Sequence, residues 1–193
     1  MDAAAIILAG GKSSRFGRDK TGLAVRGEPI VSRIISRCRP LCRELFIVSN
    51  ARDKFGLPGV RELSDFYPDA GPLGGIHAGL SAATADLVLV AACDMPFFDA
   101  GLAAALLEGA AEYDVLVPRI GEHLEPLCAV YRRSVLPEVE NLLRRGRRPV
   151  RGLFPLVRTG YLDCGGPGLD AALPFYNINR PEDYAALEKG AAC

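Results

Sequence analysis

The chain has 193 residues, of which 49% are hydrophobic and 24% are charged, and its formal net charge at pH 7 is zero. This length predicts one domain, residues 1–193, with a full core. The zero net charge argues against nucleic-acid binding through bulk charge, and no apolar run approaches the roughly 20 residues of a membrane span. No basic region precedes an apolar core at the N-terminus, so the expected location is cytoplasmic rather than secreted.

Strand and helix patterns alternate along the chain. Apolar runs predict strands, in chain order, at Ala3–Leu8, 45–49, 60–63, Leu87–Ala92, 114–118 and 126–131. Helices are predicted from Pro29, at 74–83, at 100–112, at 134–144 with Ser134 as the N-cap, and from near Pro181. This alternation predicts an α/β fold, a mostly parallel sheet covered by helices on both faces.

The cysteines show no metal-binding pattern. They lie at positions 38, 42, 93, 128, 164 and 193 without a Cys-x-x-Cys pair, and no histidine lies at a ligand spacing. A zinc or iron–sulfur site is therefore not expected. Cys93 and Cys128 lie in apolar runs and are predicted core residues, and scattered thiols agree with a reducing cytoplasm.

The most informative stretch is residues 5–20, AIILAGGKSSRFGRDK, where an apolar run ends in two glycines and a cationic loop. Adjacent glycines let backbone N–H groups turn toward a ligand, and such groups form a concavity for anions. Ligands of open α/β sheets bind beyond the carboxyl ends of strands, so a nucleoside triphosphate is the implied ligand. The stretch is neither a P-loop nor a Gly-x-Gly-x-x-Gly motif. The alternative is a glycine turn with solvated lysines.

This stretch resembles the opening of the nucleotidyltransferases, Leu-Ala-Gly-Gly-x-Ser-x-Arg-(Met/Phe)-Gly-x-Asp-Lys, and within them the molybdenum cofactor guanylyltransferases. A late Asn-x-Asn-x-Pro-Glu segment at 177–182 resembles the same family. The resemblance implies a Rossmann-like, three-layer nucleotidyltransferase fold, with GTP and the molybdenum-pterin cofactor as substrates and Mg²⁺ as cofactor. Contact with cofactor-insertion proteins or molybdoenzymes is a further expectation.

The resemblance also implies which residues bind the nucleotide. Lys20 and Arg15 are the expected phosphate ligands and catalytic cations. The remaining nucleotide contacts that it implies are Leu8, Ala9, Gly10, Gly11, Asn50, Asp65 and Gly74. Ser49 is an alternative to Asn50, Asp65 could be an ordinary loop acid, and the glycine-dense stretch around Gly74 could be a plain turn and helix start.

Asp94 is the expected metal ligand and a catalytic residue. It follows the buried run Leu87–Ala92, and this position directs a carboxylate into the crevice above the sheet. On its own it could instead be an N-cap or turn aspartate before Pro96. Carboxylates suit Mg²⁺, which uses one or two of them together with phosphate oxygens. The family's Cys-Asp-x-Pro motif matches here and implies that Asp94 holds the metal.

Three later segments resemble the family's second-substrate side: Glu125-Pro126-Leu127, the arginine run at 144–148, and residues 175–182. Asn177 and Asn179 alternate on one face of an extended segment, where their amides could bind a pterin or a phosphate. The arginine run could equally complement a helix dipole. His77 and His123 have no motif partner, and we expect neither to take part in binding or catalysis.

Other functions remain open at this point. The two alternatives most similar to a guanylyltransferase are a cytidylyltransferase of the same cofactor and a sugar-phosphate nucleotidyltransferase. Nucleotide preference would distinguish these enzymes from one another. A non-catalytic nucleotide-binding regulator is more distant, because a regulator does not need both Lys20 and a metal ligand at Asp94. No Ser-His-Asp or Cys-His pattern suggests a covalent nucleophile, which agrees with transfer by positioning and charge neutralisation.

Overall fold

The central feature of the fold is one large sheet with helices on both faces. The structure is a computed structural model that describes residues 2–10, 20–49, 54–67, 69–165, 173–178 and 180–188. Its strands are β1 Ala3–Leu8, β2 Ala24–Val25, β3 Glu28–Pro29, β4 Glu44–Val48, β5 Arg61–Leu63, β6 Leu87–Ala92, β7 Val115–Ile120, β8 His123–Leu124, β9 Cys128–Arg132 and β10 Thr159–Asp163. Its α-helices are α1 Ile30–Cys38, α2 Pro72–Ala82, α3 Ala100–Gly109, α4 Leu136–Arg144 and α5 Pro181–Glu188.

The strand order in the large sheet is β10-β7-β9-β6-β1-β4-β5, with β8 paired to β7, while β2 and β3 form a separate hairpin. β5, β4, β1 and β6 are mutually parallel, and β10 is parallel to β7. β9 lies antiparallel between β6 and β7. The predicted mostly parallel sheet is therefore confirmed. The reversed direction of β9 could not be predicted from the sequence, because hydrophobic periodicity carries no information on strand direction.

The three-layer arrangement is also confirmed. Helices α1 and α3 pack on one face of the sheet, and α2 and α4 pack on the other. Successive side chains of a strand point to opposite faces. The odd-numbered residues of β1 accordingly lie in the first cluster and its even-numbered residues in the second. All six residues of β1 are buried, which explains why its sequence is apolar throughout.

Glycines bring α2 very close to β1. A Cβ added at Gly79 would lie 1.9 Å from Cδ1 and 2.4 Å from Cγ1 of Ile6. A Cβ at Gly75 would lie 2.7 Å from Cδ2 of Leu8. The small residues of this helix therefore serve its close packing on the central strand.

The predicted starts of α1 and α4 are wrong, and α2 begins at Pro72, two residues before its predicted start. Pro29 belongs to β3, its ψ of 136° is extended, and α1 begins one residue later. Ser134 is not the N-cap of α4, because it lies in a 3₁₀ turn, Arg133–Val135, that precedes the helix. Pro137 lies in the first turn of α4, where a backbone N–H has no acceptor within the helix, so the missing N–H of proline costs no hydrogen bond. A proline therefore lies at or beside the start of both helices.

Several short elements have no signature in the sequence. The β2–β3 hairpin and β8 have two residues per strand, too few to show a period. β10 and the 3₁₀ helix Val150–Leu156 lie where the pattern is weak. Cys128 is fully buried, as predicted, whereas Cys93 lies just beyond β6 and is half-buried. In the described part of the chain, no helix has the length and apolar character needed to cross a bilayer.

Candidate active site

The carboxyl ends of four neighbouring parallel strands form one continuous edge. β1 and its neighbours stay hydrogen-bonded beyond their last residues: the N–H of Ala9 donates to the carbonyl of Val48 at 2.8 Å, and that of Cys93 donates to the carbonyl of Leu8 at 3.0 Å. The loops that follow β5, β4, β1 and β6 therefore emerge side by side. Most of the nucleotide contacts that the sequence predicts lie on these four loops.

The chain order of the strands reverses between β1 and β6. From β1 the chain passes through α1 to β4 and β5 on one side, and then through α2 to β6 on the other. The two helices lie on opposite faces of the sheet, which opens a crevice where the loops diverge, and such crevices are where open α/β sheets bind ligands. Gly10 lies two residues beyond β1, and Asp94 lies two residues beyond β6.

Asp94 is half-buried in this crevice region, and its backbone is held by the C-terminal segment. The N–H of Ile178 donates to the carbonyl of Asp94 at 3.0 Å, and the Ile178 side chain is fully buried. The N-cap of α3 is Asp99, whose carboxylate accepts from the N–H of Leu102 at 2.8 Å. Asp94 is therefore not a helix cap, which removes one of its two alternative roles.

Asp65 and Gly74 lie in direct proximity. One Asp65 carboxylate oxygen accepts from the N–H of Tyr67 at 2.8 Å. A Cβ added at Gly74 would lie 2.3 and 2.6 Å from the two carboxylate oxygens of Asp65. The carboxylate thus lies over the first turn of α2, where the helix dipole favours a negative charge. Burial is the main influence on the pKa of Asp65 and raises it above the ordinary value.

A second network joins the loop after β4 to the turn that carries Lys20. The carboxylate of Glu62 accepts from the three backbone N–H groups of residues 54–56 at 2.8 to 2.9 Å. Burial opposes ionisation of Glu62, but these hydrogen bonds outweigh it and lower the pKa. The ammonium of Lys54 donates to Oγ1 of the buried Thr21, in the 3₁₀ turn Lys20–Gly22. The sequence contains no motif that marks this network.

We expect Glu62→Gln to raise the KM for the nucleotide about threefold to tenfold with little change in kcat, because it removes one charge-assisted acceptor from the loop that supports Thr21. Steady-state kinetics with varied nucleotide measures this. Glu44→Gln is the matched control, because Glu44 also accepts backbone N–H groups, from Thr84 and Ala85, but at the amino edge of the sheet. An equal rise in KM for both variants would contradict a specific role of the Glu62 network.

The segments predicted to bind the second substrate also meet at the carboxyl edge. The amide nitrogen of Asn177 donates to Oε2 of Glu125 at 3.3 Å, and Nε2 of His123 lies 3.6 Å from the same oxygen. The guanidinium of Arg151 donates to the carbonyl of Leu124 at 2.9 Å. The side-chain carbonyl oxygen of Asn177 is buried and has no hydrogen-bond partner among the described residues. These contacts bring Asn177, Glu125 and His123 together at the carboxyl edge.

The arginine run lies at the same edge. β9 is antiparallel and ends at the amino edge, so α4 carries the chain back toward the carboxyl ends of the parallel strands. Arg144, Arg145, Arg147 and Arg148 are all exposed there. Arg144 forms an ion pair with Glu140 at 2.8 Å, the i,i+4 pair of a helix surface.

Four of the predicted site residues, Gly11, Arg15, Asn50 and Asn179, lie outside the described residues. Lys20 is described for its backbone alone. Ser49, the alternative to Asn50, is 3% exposed, which leaves little of its surface for a nucleotide.

Solved structures superpose on this chain over almost its whole length. Molybdopterin-guanine dinucleotide biosynthesis protein A from Archaeoglobus fulgidus superposes with a TM-score of 0.81 at 25% identity, covering 98% of both chains. The 2-C-methyl-D-erythritol 4-phosphate cytidylyltransferase of Thermus thermophilus superposes with a TM-score of 0.74 at 21% identity over 100% of both chains, a likeness of fold alone. The fold is that of a nucleotidyltransferase.

Sequence comparisons narrow this class. The model of the MobA-like NTP transferase domain matches residues 5–157, and the chain belongs to that family. Curated relatives include a probable molybdenum cofactor guanylyltransferase of Pelotomaculum thermopropionicum, 38% identical over 95% of this chain and 90% of the relative. The molybdenum cofactor guanylyltransferase of Vibrio cholerae is 36% identical, with the same coverage of both chains.

Proposed function

We propose that this protein transfers GMP from GTP to the terminal phosphate of the molybdenum-pterin cofactor. The products are pyrophosphate and the guanine dinucleotide form of the cofactor. The observation that carries the proposal is the position of Asp94, beside the glycine loop at the strand-order reversal, in a chain whose relatives are named for this reaction. We place the reaction in the cytoplasm, with delivery to cofactor-insertion proteins or molybdoenzymes.

GTP occupies the loop after β1 in this proposal. Leu8, Ala9, Gly10 and Gly11 line the nucleotide, and Lys20 and Arg15 bind its phosphates. The terminal phosphate of the pterin attacks the α-phosphorus of GTP in line, the bond to the β-phosphate breaks, and pyrophosphate leaves with its electron pair. Because the substrate supplies the nucleophile, the protein needs to position and neutralise charge rather than form a covalent intermediate.

The residues beyond β6 fit a magnesium ion. Asp94 offers a half-buried carboxylate, and within the described ranges no three His, Cys, Asp or Glu side chains cluster as metal ligands. Mg²⁺ commonly takes one or two carboxylates together with substrate phosphates and water, rather than a cage made of protein groups. Bound at Asp94, Mg²⁺ would neutralise charge that develops on the phosphate oxygens.

The pterin side of the proposed site includes Asn177, Asn179 and Glu125. The buried side-chain oxygen of Asn177 supports this placement, because an unpaired buried acceptor is costly unless a ligand or water satisfies it. A pterin ring carries N–H groups that can donate to such an oxygen. The exposed arginines at the end of α4 are suited to the phosphate of the same substrate.

Nucleotide preference tests the function directly. The protein with Mg²⁺ and the molybdenum-pterin cofactor is assayed for pyrophosphate release with GTP, CTP, ATP and UTP, and we expect kcat/KM to be highest for GTP. GTP at a hundred times its Kd should also stabilise the fold by about 2.7 kcal/mol. A preference for CTP would replace the proposal with the cytidylyltransferase alternative. Nucleotide binding without pyrophosphate release would instead support a regulator.

A further inference from the structure

His77 has partners on three sides, although the sequence gives it no motif. It lies on α2 and is 6% exposed. Its ring meets those of Phe66 and Tyr67 edge-to-face, with centroids 6.0 and 5.0 Å away and interplanar angles of 88° and 90°. Its Nε2 atom lies 3.5 Å from Oε1 of Glu140 on α4. His77 therefore joins the turn after β5 to two helices.

The turn that His77 contacts is the one that carries Asp65. Phe66 and Tyr67 directly follow Asp65, and the N–H of Tyr67 closes the turn by donating to the Asp65 carboxylate. Gly74 and His77 are three residues apart on α2 and share one face. The Asp65 carboxylate lies over Gly74, and the rings after it lie against His77. Gly74 and His77, on successive turns of α2, thus both contact the segment of residues 65–67.

The surroundings of His77 carry charge, unlike those of a histidine that only fills a core. Glu140 contacts one ring nitrogen, and Asp65 lies near enough for the histidine to lower the pKa of that carboxyl, against the larger effect of burial. Nδ1 of His77 is buried without a hydrogen-bond partner in the described part of the chain. A leucine of similar size would fill the same space without burying a ring nitrogen that lacks a hydrogen-bond partner.

We propose that His77 is a positioning residue for Asp65: through the rings of Phe66 and Tyr67 and the carboxylate of Glu140, it sets where the Asp65 carboxylate meets the nucleotide. The proposal rests on the proposed function, in which Asp65 contacts GTP. His77 does not touch substrate in this scheme. It holds the turn in place, so its removal affects nucleotide binding only as long as Asp65 is present.

A double-mutant cycle on His77→Leu and Asp65→Asn tests this. Kd for GTP is measured by calorimetry, and kcat and KM are measured in the transfer assay. We expect His77→Leu to weaken GTP binding about fivefold to tenfold, within the range over which contacting residues couple, with kcat changed by less than about threefold. In the Asp65→Asn background, His77→Leu should raise the Kd for GTP less than about twofold, because the carboxylate that His77 positions is already absent.

A second variant keeps the test valid if His77→Leu folds poorly. Glu140→Gln removes the charge that faces His77 on α4, where the Glu140 side chain is 32% exposed, and should raise the Kd for GTP about twofold to threefold, as loss of a partly exposed charged contact allows. Glu138→Gln, on the same helix without a contact to His77, is the control and should leave the Kd unchanged.

The outcomes separate this proposal from the function that it rests on. Equal losses from His77→Leu with and without Asp65 overturn the positioning role, even if the wild type binds GTP and transfers GMP normally. A wild type that binds GTP but transfers no GMP overturns the proposed function, while the binding cycle still tests His77. A wild type that does not bind GTP overturns both.

Discussion

Asp94→Asn is expected to lower the rate of GMP transfer by at least about 10²-fold, comparable to the loss of one preorganised transition-state contact. Asparagine keeps the shape of the side chain but removes the charge that would hold Mg²⁺. The fold should survive, because Asp94 lies at the edge of the sheet and does not cap a helix. Pyrophosphate release at saturating GTP and pterin measures the effect, and the thermal midpoint checks the fold.

Asp99→Asn is the matched control. It removes a negative charge five residues along the same chain, but asparagine also caps helices well, so α3 should keep its N-cap. We expect the control to retain nearly normal turnover. Near-normal turnover in Asp94→Asn would refute the metal-ligand role, and equal losses in both variants would point to a general effect of charge.

Gly79→Ala is expected to destabilise the protein, although alanine favours helices over glycine by about 1 kcal/mol. The new Cβ would lie 1.9 Å from Cδ1 of Ile6, inside a fully buried contact between α2 and the central strand. Overpacking of this kind typically costs about 1–3 kcal/mol, because the Ile6 side chain, the central strand or the helix must shift to make room. The free energy of unfolding, measured in urea, shows whether the steric cost exceeds the gain in helix propensity.

Two further variants isolate the steric cause. Gly152→Ala adds a Cβ that meets no atom within 4 Å beyond its own local backbone and chain neighbours, so the stability of this variant should be unchanged or slightly higher. Ile6→Val removes the Cδ1 atom and alone should cost about 0.5–1.5 kcal/mol. Combined with Gly79→Ala it should cost less than the sum of the two single changes. A simply additive double variant would show that Cδ1 of Ile6 is not the source of the cost, because valine keeps the Cγ1 atom 2.4 Å from the added Cβ.

The core strands and the line of loops beyond them follow from the amino-acid sequence alone. Ala3–Leu8 and Leu87–Ala92 have the predicted bounds without a shift, because strands buried on both faces must be apolar throughout. Loops at the carboxyl ends of parallel strands must meet at one edge, so the parallel sheet predicted from the sequence places Gly10 and Asp94 at the same edge. Only the strand order in the structure shows that β6 lies directly beside β1. The glycine motif and the Cys-Asp-x-Pro motif then indicate the family that the comparisons confirm.

How the later segments and the polar side chains meet depends instead on tertiary packing. The Tyr184 hydroxyl donates to the carbonyl of Ala24 at 2.8 Å, a contact across 160 residues that no local pattern encodes. The support of the 54–56 loop by Glu62 and the position of His77 beside the Asp65 turn depend likewise on packing between distant elements. Periodicity reports which face of an element is buried, but polar contacts depend on where two buried faces come together, and that is a property of the whole fold.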